Sequence, residues 1–129
     1  MRIAIIDESP ARAAVIEEGL RETGLTDVPL FSDRHALVSR IEALAPDVIL
    51  IDLTNPRRDE LEELFAVSRA ISRPVAMFVD QSDDAAMESA IDAGVSAYVV
   101  DGMKKERIKP VLELAIRRFN AFARLRTEL

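Results

Sequence analysis

The sequence has no cysteine, which excludes disulfides and thiolate chemistry. It has a single histidine, which excludes a His-rich metal site and argues against a Ser-His-Asp triad. Long apolar runs are missing as well. The longest is Val75–Val79, whereas a membrane-spanning helix needs roughly 20 such residues. No membrane partner is therefore expected. Met1-Arg2-Ile3 leads straight into an alternation of core and turn signals with no signal-peptide layout, so the expected location is cytoplasmic. Internal repeats and low-complexity tracts are also absent.

What remains suits one ordinary domain. The chain has 129 residues, 49% hydrophobic and 31% charged, enough to bury a core and too few for two. Its net charge of −6 is unevenly spread. Residues 1–103 hold 9 basic and 20 acidic side chains, a net −11, and residues 104–129 hold 8 basic and 3 acidic, a net +5. An acidic body of this kind does not attract nucleic acid by itself. The basic end reads most simply as a solvated helix face.

Short apolar runs alternate with amphipathic stretches. Ile3–Ile6 is a buried strand ending at Asp7. Ser9-Pro10 reads as an N-cap followed by proline at the first helical position, and that helix runs to about Thr23 before Gly24. Val28–Phe31 is a second strand, and residues 34–44 carry Leu37, Ile41 and Leu44 at helical spacing. His35, near the start of that stretch, is expected on the surface. Val48–Ile51 is the most apolar strand and ends at Asp52. Residues 59–71 are helical with Leu61, Leu64, Phe65 and Ile71 inward, and Pro74 precedes strand Val75–Val79. Asp83–Ala93 is a helix with Met87, Ala90 and Ile91 inward and Gly94 as its terminator. Ala97–Val100 is the fifth strand, ending at Asp101, and Lys104–Leu129 is one helix. Five β/α units with strands apolar throughout predict a doubly wound α/β fold with a parallel sheet and helices on both faces.

In such sheets ligands bind beyond the carboxyl ends of the strands. Those ends here are Asp7-Glu8, Asp52, Val79-Asp80 and Asp101. Carboxylates packed together repel one another, and a hard divalent cation with oxygen ligands keeps them ionised most readily. Magnesium uses one or two carboxylates and retains waters, which leaves room for a phosphoryl group.

An acidic pair after the first strand, an aspartate closing the third and a (βα)5 chain of this length resemble the receiver domain of two-component response regulators. The resemblance covers residues 1–118. It implies a flavodoxin-like sheet in the order 2-1-3-4-5 and no enzyme activity beyond transfer of a phosphoryl group onto the chain's own Asp52. It makes Asp52 the acceptor of a phosphoryl group from a histidine kinase or other sensor. It also implies Mg2+ held by Asp7, Glu8, Asp52 and the backbone carbonyl of Thr54. Two positions depart from the family pattern. Val79 stands where a Ser or Thr normally ends the fourth strand, and Asp101-Gly102 stands where a Lys-Pro pair normally follows the fifth. Tyr98 occupies the aromatic position that moves on activation in receivers. The metal and acceptor half of the site is thus kept and the switch half is degenerate.

A narrower resemblance lies in Arg73–Asp80 and Ala90–Met103. These stretches look like the atypical receivers of ANTAR antiterminators, the NasT type above all. That likeness implies transcription antitermination of nitrate and nitrite assimilation operons under a partner sensor. Residues 119–129 would then extend the fifth helix as a coiled-coil linker to a C-terminal RNA-binding domain lying outside this chain. Ile108, Leu112, Ala115, Phe119, Phe122 and Leu129 form a 4-3-4-3 stripe interrupted by Arg126, which predicts a homodimer through this helix. Beyond Phe119 no domain surface is expected to cover Phe122, Leu125 and Leu129.

Two other readings start from the same topology. A haloacid dehalogenase-type phosphatase needs a second aspartate two residues after its nucleophile, where this chain has Ser9 and Thr54. A flavodoxin-like FMN binder needs a first loop that cradles phosphate, and Asp7-Glu8-Ser9-Pro10 offers carboxylates instead. A third, a pseudo-receiver that binds a partner without phosphorylation, stays open beside the phosphorylated receiver.

Overall fold

The structure, a computed structural model, describes residues 1–100 and 103–128, with side chains through Leu125. Five strands alternate with five helices: β1 (Ile3–Ile6), α1 (Pro10–Glu22), β2 (Leu30–Phe31), α2 (Leu37–Leu44), β3 (Val48–Leu53), α3 (Arg58–Ala70), β4 (Val75–Val79), α4 (Asp84–Asp92), β5 (Ala97–Val100) and α5 (Lys105–Glu128). The strands form one parallel sheet in the order β2-β1-β3-β4-β5.

The unbroken apolar character of the strands has a simple cause: both faces are covered. Ala4, Ile6, Ile49, Ile51, Met77 and Val79 point into a core shared with α2, α3 and α4. Ile3, Ile5, Val48, Leu50, Ala76 and Phe78 point into a second core shared with α1 and α5. The period-2 alternation of a strand sorts the two sets, so apolar residues are needed at every position.

Three elements differ from expectation. β2 is only Leu30–Phe31. Pro29 has no N–H to give the ladder, although its carbonyl accepts from Ile5 N at 2.9 Å. α2 begins at Leu37 because Ala36 adopts a left-handed conformation, φ 46°, while Asp33 Oδ1 accepts from the His35 N–H at 3.0 Å. His35 is exposed, as expected. The third difference is in α4. Ala90 is buried, but Met87 and Ile91 are 41% and 66% exposed, which corrects the inward assignment of both. Ala86, Ala90 and Ala93 form the stripe that packs on the core, and their small side chains bring the helix close. Met87 and Ile91 lie one residue, about 100°, round from that stripe.

Burial along α5 ends at Phe119, as expected. Ile108, Leu112 and Ala115 are buried, Phe119 is half-buried, and Phe122 and Leu125 are exposed. Leu129 and the Arg126 side chain lie outside what is described.

Candidate functional site at the carboxyl edge of the sheet

The central strands β1, β3 and β4 deliver acidic residues to one edge. Asp7 follows β1 and is 3% exposed. Its Oδ1 accepts from the Ser9 N–H at 2.9 Å, an Asx turn that bends the chain toward α1. Ser9 Oγ then accepts from the Arg12 N–H at 3.3 Å, capping α1, with Pro10 in the first turn. Asp52 lies inside β3 rather than after it, in register with Phe78, and its side chain is fully buried. Asp80 is the first residue beyond β4 and is partly exposed.

The cation among these acids is a guanidinium. Arg12 Nε donates to Asp52 Oδ2 at 2.7 Å and Arg12 Nη2 donates to Asp52 Oδ1 at 2.8 Å, a two-pronged pairing. Nη1 and Nη2 also reach Asp80 Oδ1 at 3.4 and 3.5 Å. The Asp52 hydrogen bonds, opposed by partial burial, raise the Arg12 pKa further above its ordinary value. Removing one partner of a buried pair costs about 3–5 kcal/mol, because the other charge is left without compensation.

Asp7 is the counterpart of this arrangement. Its Oδ2 is buried and accepts no hydrogen bond. Burial, and then the neighbouring Asp52 carboxylate, push its pKa up to about 7; the Ser9 N–H opposes them. Near neutral pH the pocket thus shifts between holding and losing one proton.

Asp7 and Asp52 are brought together as expected. Glu8 is not part of that group in this arrangement. Its carboxylate accepts from Arg34 Nε at 3.0 Å, and Arg34 also bridges to Glu63 at 2.7 Å. One residue past Asp7, the half-exposed Glu8 turns to the solvent side, where Arg34 offers a partner. Thr54 lies in the exposed turn after β3, next to Asn55 at φ 45°. Val79 is fully buried in the core and paired in register with Leu53. Tyr98 is half-buried, with its hydroxyl 2.7 Å from Ser82 Oγ. Asp101 and Gly102 lie outside the described residues.

For magnesium the donor chemistry is right and the arrangement is not. Asp7 and Asp52 supply hard oxygens, and the bare Asp7 Oδ2 is a ready ligand. Both Asp52 oxygens, however, are bound to Arg12, and Glu8 is bound to Arg34. Among the described residues no three acidic or histidine side chains are arranged to hold one ion.

Sequence reasoning placed Asp80 at this edge without giving it a role, and missed Arg12. A signal for Arg12 was present: it stands three residues after the cap Ser9, in the first turn of the helix that leaves the acidic edge. Converging carboxylates call for positive charge, and a nearby arginine supplies it as readily as a metal ion.

The family model of the response regulator receiver domain matches residues 3–113. The chain belongs to that family. It is 28% identical over 128 residues to the transcriptional regulatory protein PdtaR of Mycobacterium tuberculosis (strain ATCC 25618 / H37Rv), covering 99% of this chain and 62% of PdtaR. It is 22% identical over 117 residues to the DNA-binding response regulator MtrA of Mycolicibacterium smegmatis, covering 91% of this chain and 51% of MtrA. The chain therefore spans less than two thirds of these relatives. Among solved structures, the CheY-like receiver domain protein of Methanospirillum hungatei JF-1 superposes with a TM-score of 0.77 at 16% identity, covering 93% of this chain and 96% of that one. The isolated receiver domain of RcsB from Salmonella enterica, solved with the phosphomimetic BeF3-, gives a TM-score of 0.71 at 19% identity, covering 88% and 86%. These likenesses establish the receiver fold in the order read from the sequence. The chain is thus a two-component receiver domain, and receivers are in general signalling modules that bind Mg2+ at the phosphorylation site and work with histidine kinases. Among the described residues no helix is long and apolar enough to cross a membrane.

Proposed function

We propose that this chain is the receiver module of a transcription regulator, with Asp52 as its phosphoacceptor position, and that it is controlled mainly by binding and release of a partner protein. The observation that carries this reading is Val79: fully buried, apolar, and level with Leu53 at the acceptor edge. In the usual receiver a hydroxyl at that position bonds the phosphoryl oxygen, a charge-assisted contact worth roughly 1.5–3 kcal/mol. A shift of a two-state equilibrium from about 1:99 to 99:1 needs about 5.5 kcal/mol, and that contact is absent. Arg12 further holds Asp52 in its resting pair.

The output we propose is ANTAR-type transcription antitermination, with nitrate and nitrite assimilation genes as its targets and a cytoplasmic site of action. It is supported by the NasT-like stretches Arg73–Asp80 and Ala90–Met103, and by similarity along nearly the whole chain to a transcriptional regulator. RNA contact then belongs to a domain beyond this chain, reached through residues 119–129. Mg2+ at Asp7, Asp52 and the Thr54 carbonyl, with Glu8 swung inward, is the metal-bound form of this reading. Dimerisation through α5 is favoured by a separate observation, the exposure of Leu125 beside the apolar stripe.

Backbone amide NMR tests the control mechanism. Adding beryllofluoride with Mg2+ is expected to move resonances close to Asp52 only. Large shifts through β4 and β5, abolished by Asp52→Asn, would overturn it.

A further inference from the structure

Within that receiver reading, the acidic pocket carries its own cation on a tether. The Asp52 side chain is fully buried, and both of its oxygens are taken by the Arg12 fork at 2.7 and 2.8 Å. The same guanidinium reaches Asp80 at 3.4 Å, so one cation spans the acid within β3 and the acid that follows β4. The Asp7 carboxylate, 3% exposed, neighbours Asp52 and Arg12, and its Oδ2 accepts no hydrogen bond. Asp7 therefore presents a free ligand atom beside a carboxylate that is already bound. Glu8 is held outside by Arg34.

We propose that Arg12 is a built-in competitor of divalent cations: its guanidinium occupies the place a metal ion would take on Asp52, and the ion enters only when Arg12 swings out. Two positive groups do not share one buried carboxylate without repulsion. Arg12 is suited to leave, because its side chain is 27% exposed and sits in the first turn of α1. Divalent affinity is then lower than the oxygen donors alone would give, and it is set by a residue that ligates no metal. Each charge-assisted bond of the fork is worth about tenfold or more in an equilibrium constant.

The probe is Mn2+, with free ion counted by electron paramagnetic resonance in titrations of the full chain. Arg12→Ala and Arg12→Gln are expected to bind Mn2+ at least tenfold more tightly than the wild type. Adding Asp52→Asn to either variant is expected to remove the gain. Affinity equal to or weaker than wild type in a folded Arg12 variant would overturn the proposal, as would a gain that survives Asp52→Asn. A wild-type measurement keeps the test open should the variants not fold. The Arg12 Nε–H resonance, held in the fork, is expected to shift as Mg2+ is added; metal-induced shifts at Asp7 and Asp52 with this resonance unmoved would overturn it too. These readouts report cation occupancy, whereas partner-based control is tested by the reach of the beryllofluoride response, so each fails separately.

Discussion

The Tyr98 hydroxyl lies 2.7 Å from Ser82 Oγ, tying the edge strand β5 to the loop that precedes α4. The pair bridges residues 16 apart in sequence and joins two segments that the backbone ladder leaves unconnected. Tyr98→Phe keeps the ring and removes the bond. It is expected to cost about 0.5–1.5 kcal/mol in urea unfolding and to speed amide exchange in residues 81–84. Exchange unchanged from the wild type would show that the bond does not hold that loop.

Asp7 gives the fold a pH dependence with a defined sign. Its folded pKa, about 7, is above the ordinary value of 3.8. The folded state therefore holds a proton that the unfolded chain loses earlier. The associated stability is full below about pH 4, declines as pH rises toward 7, and is gone above it. Each pH unit in that window is worth up to about 1.4 kcal/mol. Urea unfolding with a chelator present is expected to show Asp7→Asn more stable than the wild type at pH 8 and less dependent on pH between 5 and 8. A slope unaltered by Asp7→Asn would show that another group sets it.

Val79→Thr puts a hydroxyl into a fully buried apolar position. The cost is expected to be about 1–3 kcal/mol, because the new group has no partner in that core. The same variant should widen the amide response to beryllofluoride beyond the neighbourhood of Asp52. A stable variant with an unchanged response would mean that the hydroxyl alone is not what limits switching.

Leu125 is 59% exposed on α5, so Leu125→Glu should leave monomer stability within about 0.5 kcal/mol. If α5 pairs with a second copy, the substitution replaces apolar cover with a charge at the flank of the seam and weakens the dimer. Sedimentation at high micromolar concentration is expected to show a dimer for the wild type and a monomer for Leu125→Glu. A wild-type monomer at that concentration rejects pairing through α5.

The fold was nearly all legible, for a physical reason. Strands buried on both faces have to be apolar at every position, and Ser9-Pro10, Gly24, Pro46, Pro74 and Gly94 punctuate the helices between them. One departure came from small residues. On α4 the alanine stripe, rather than the larger Met87 and Ile91, faces the core. The site was legible in its acids and opaque in its charge balance. Asp7 and Asp52 follow from strand ends alone, but the choice between Glu8 and Asp80, and between a metal ion and Arg12, depends on which side chains can reach. Sequence spacing fixes the turn from which a side chain departs and leaves open the partner it finds.

One helical position bears on that reach from a distance. A Cβ at Gly19 would lie 3.1 Å from both Ile108 Cδ1 and Lys105 Cγ, closer than such atoms ordinarily approach. α1 and α5 are thus as near as a missing side chain allows, and Lys105 Nζ clamps them through Glu18 and Glu22 at 3.3 and 2.7 Å. The helix that presents Arg12 is therefore gauged against the outgoing helix by a space one methyl group wide. A methyl there gains helix propensity and loses seating, two effects of opposite sign and similar size. The loss would be felt two turns away, as a mismatch between a rigid guanidinium fork and the carboxylate it grips.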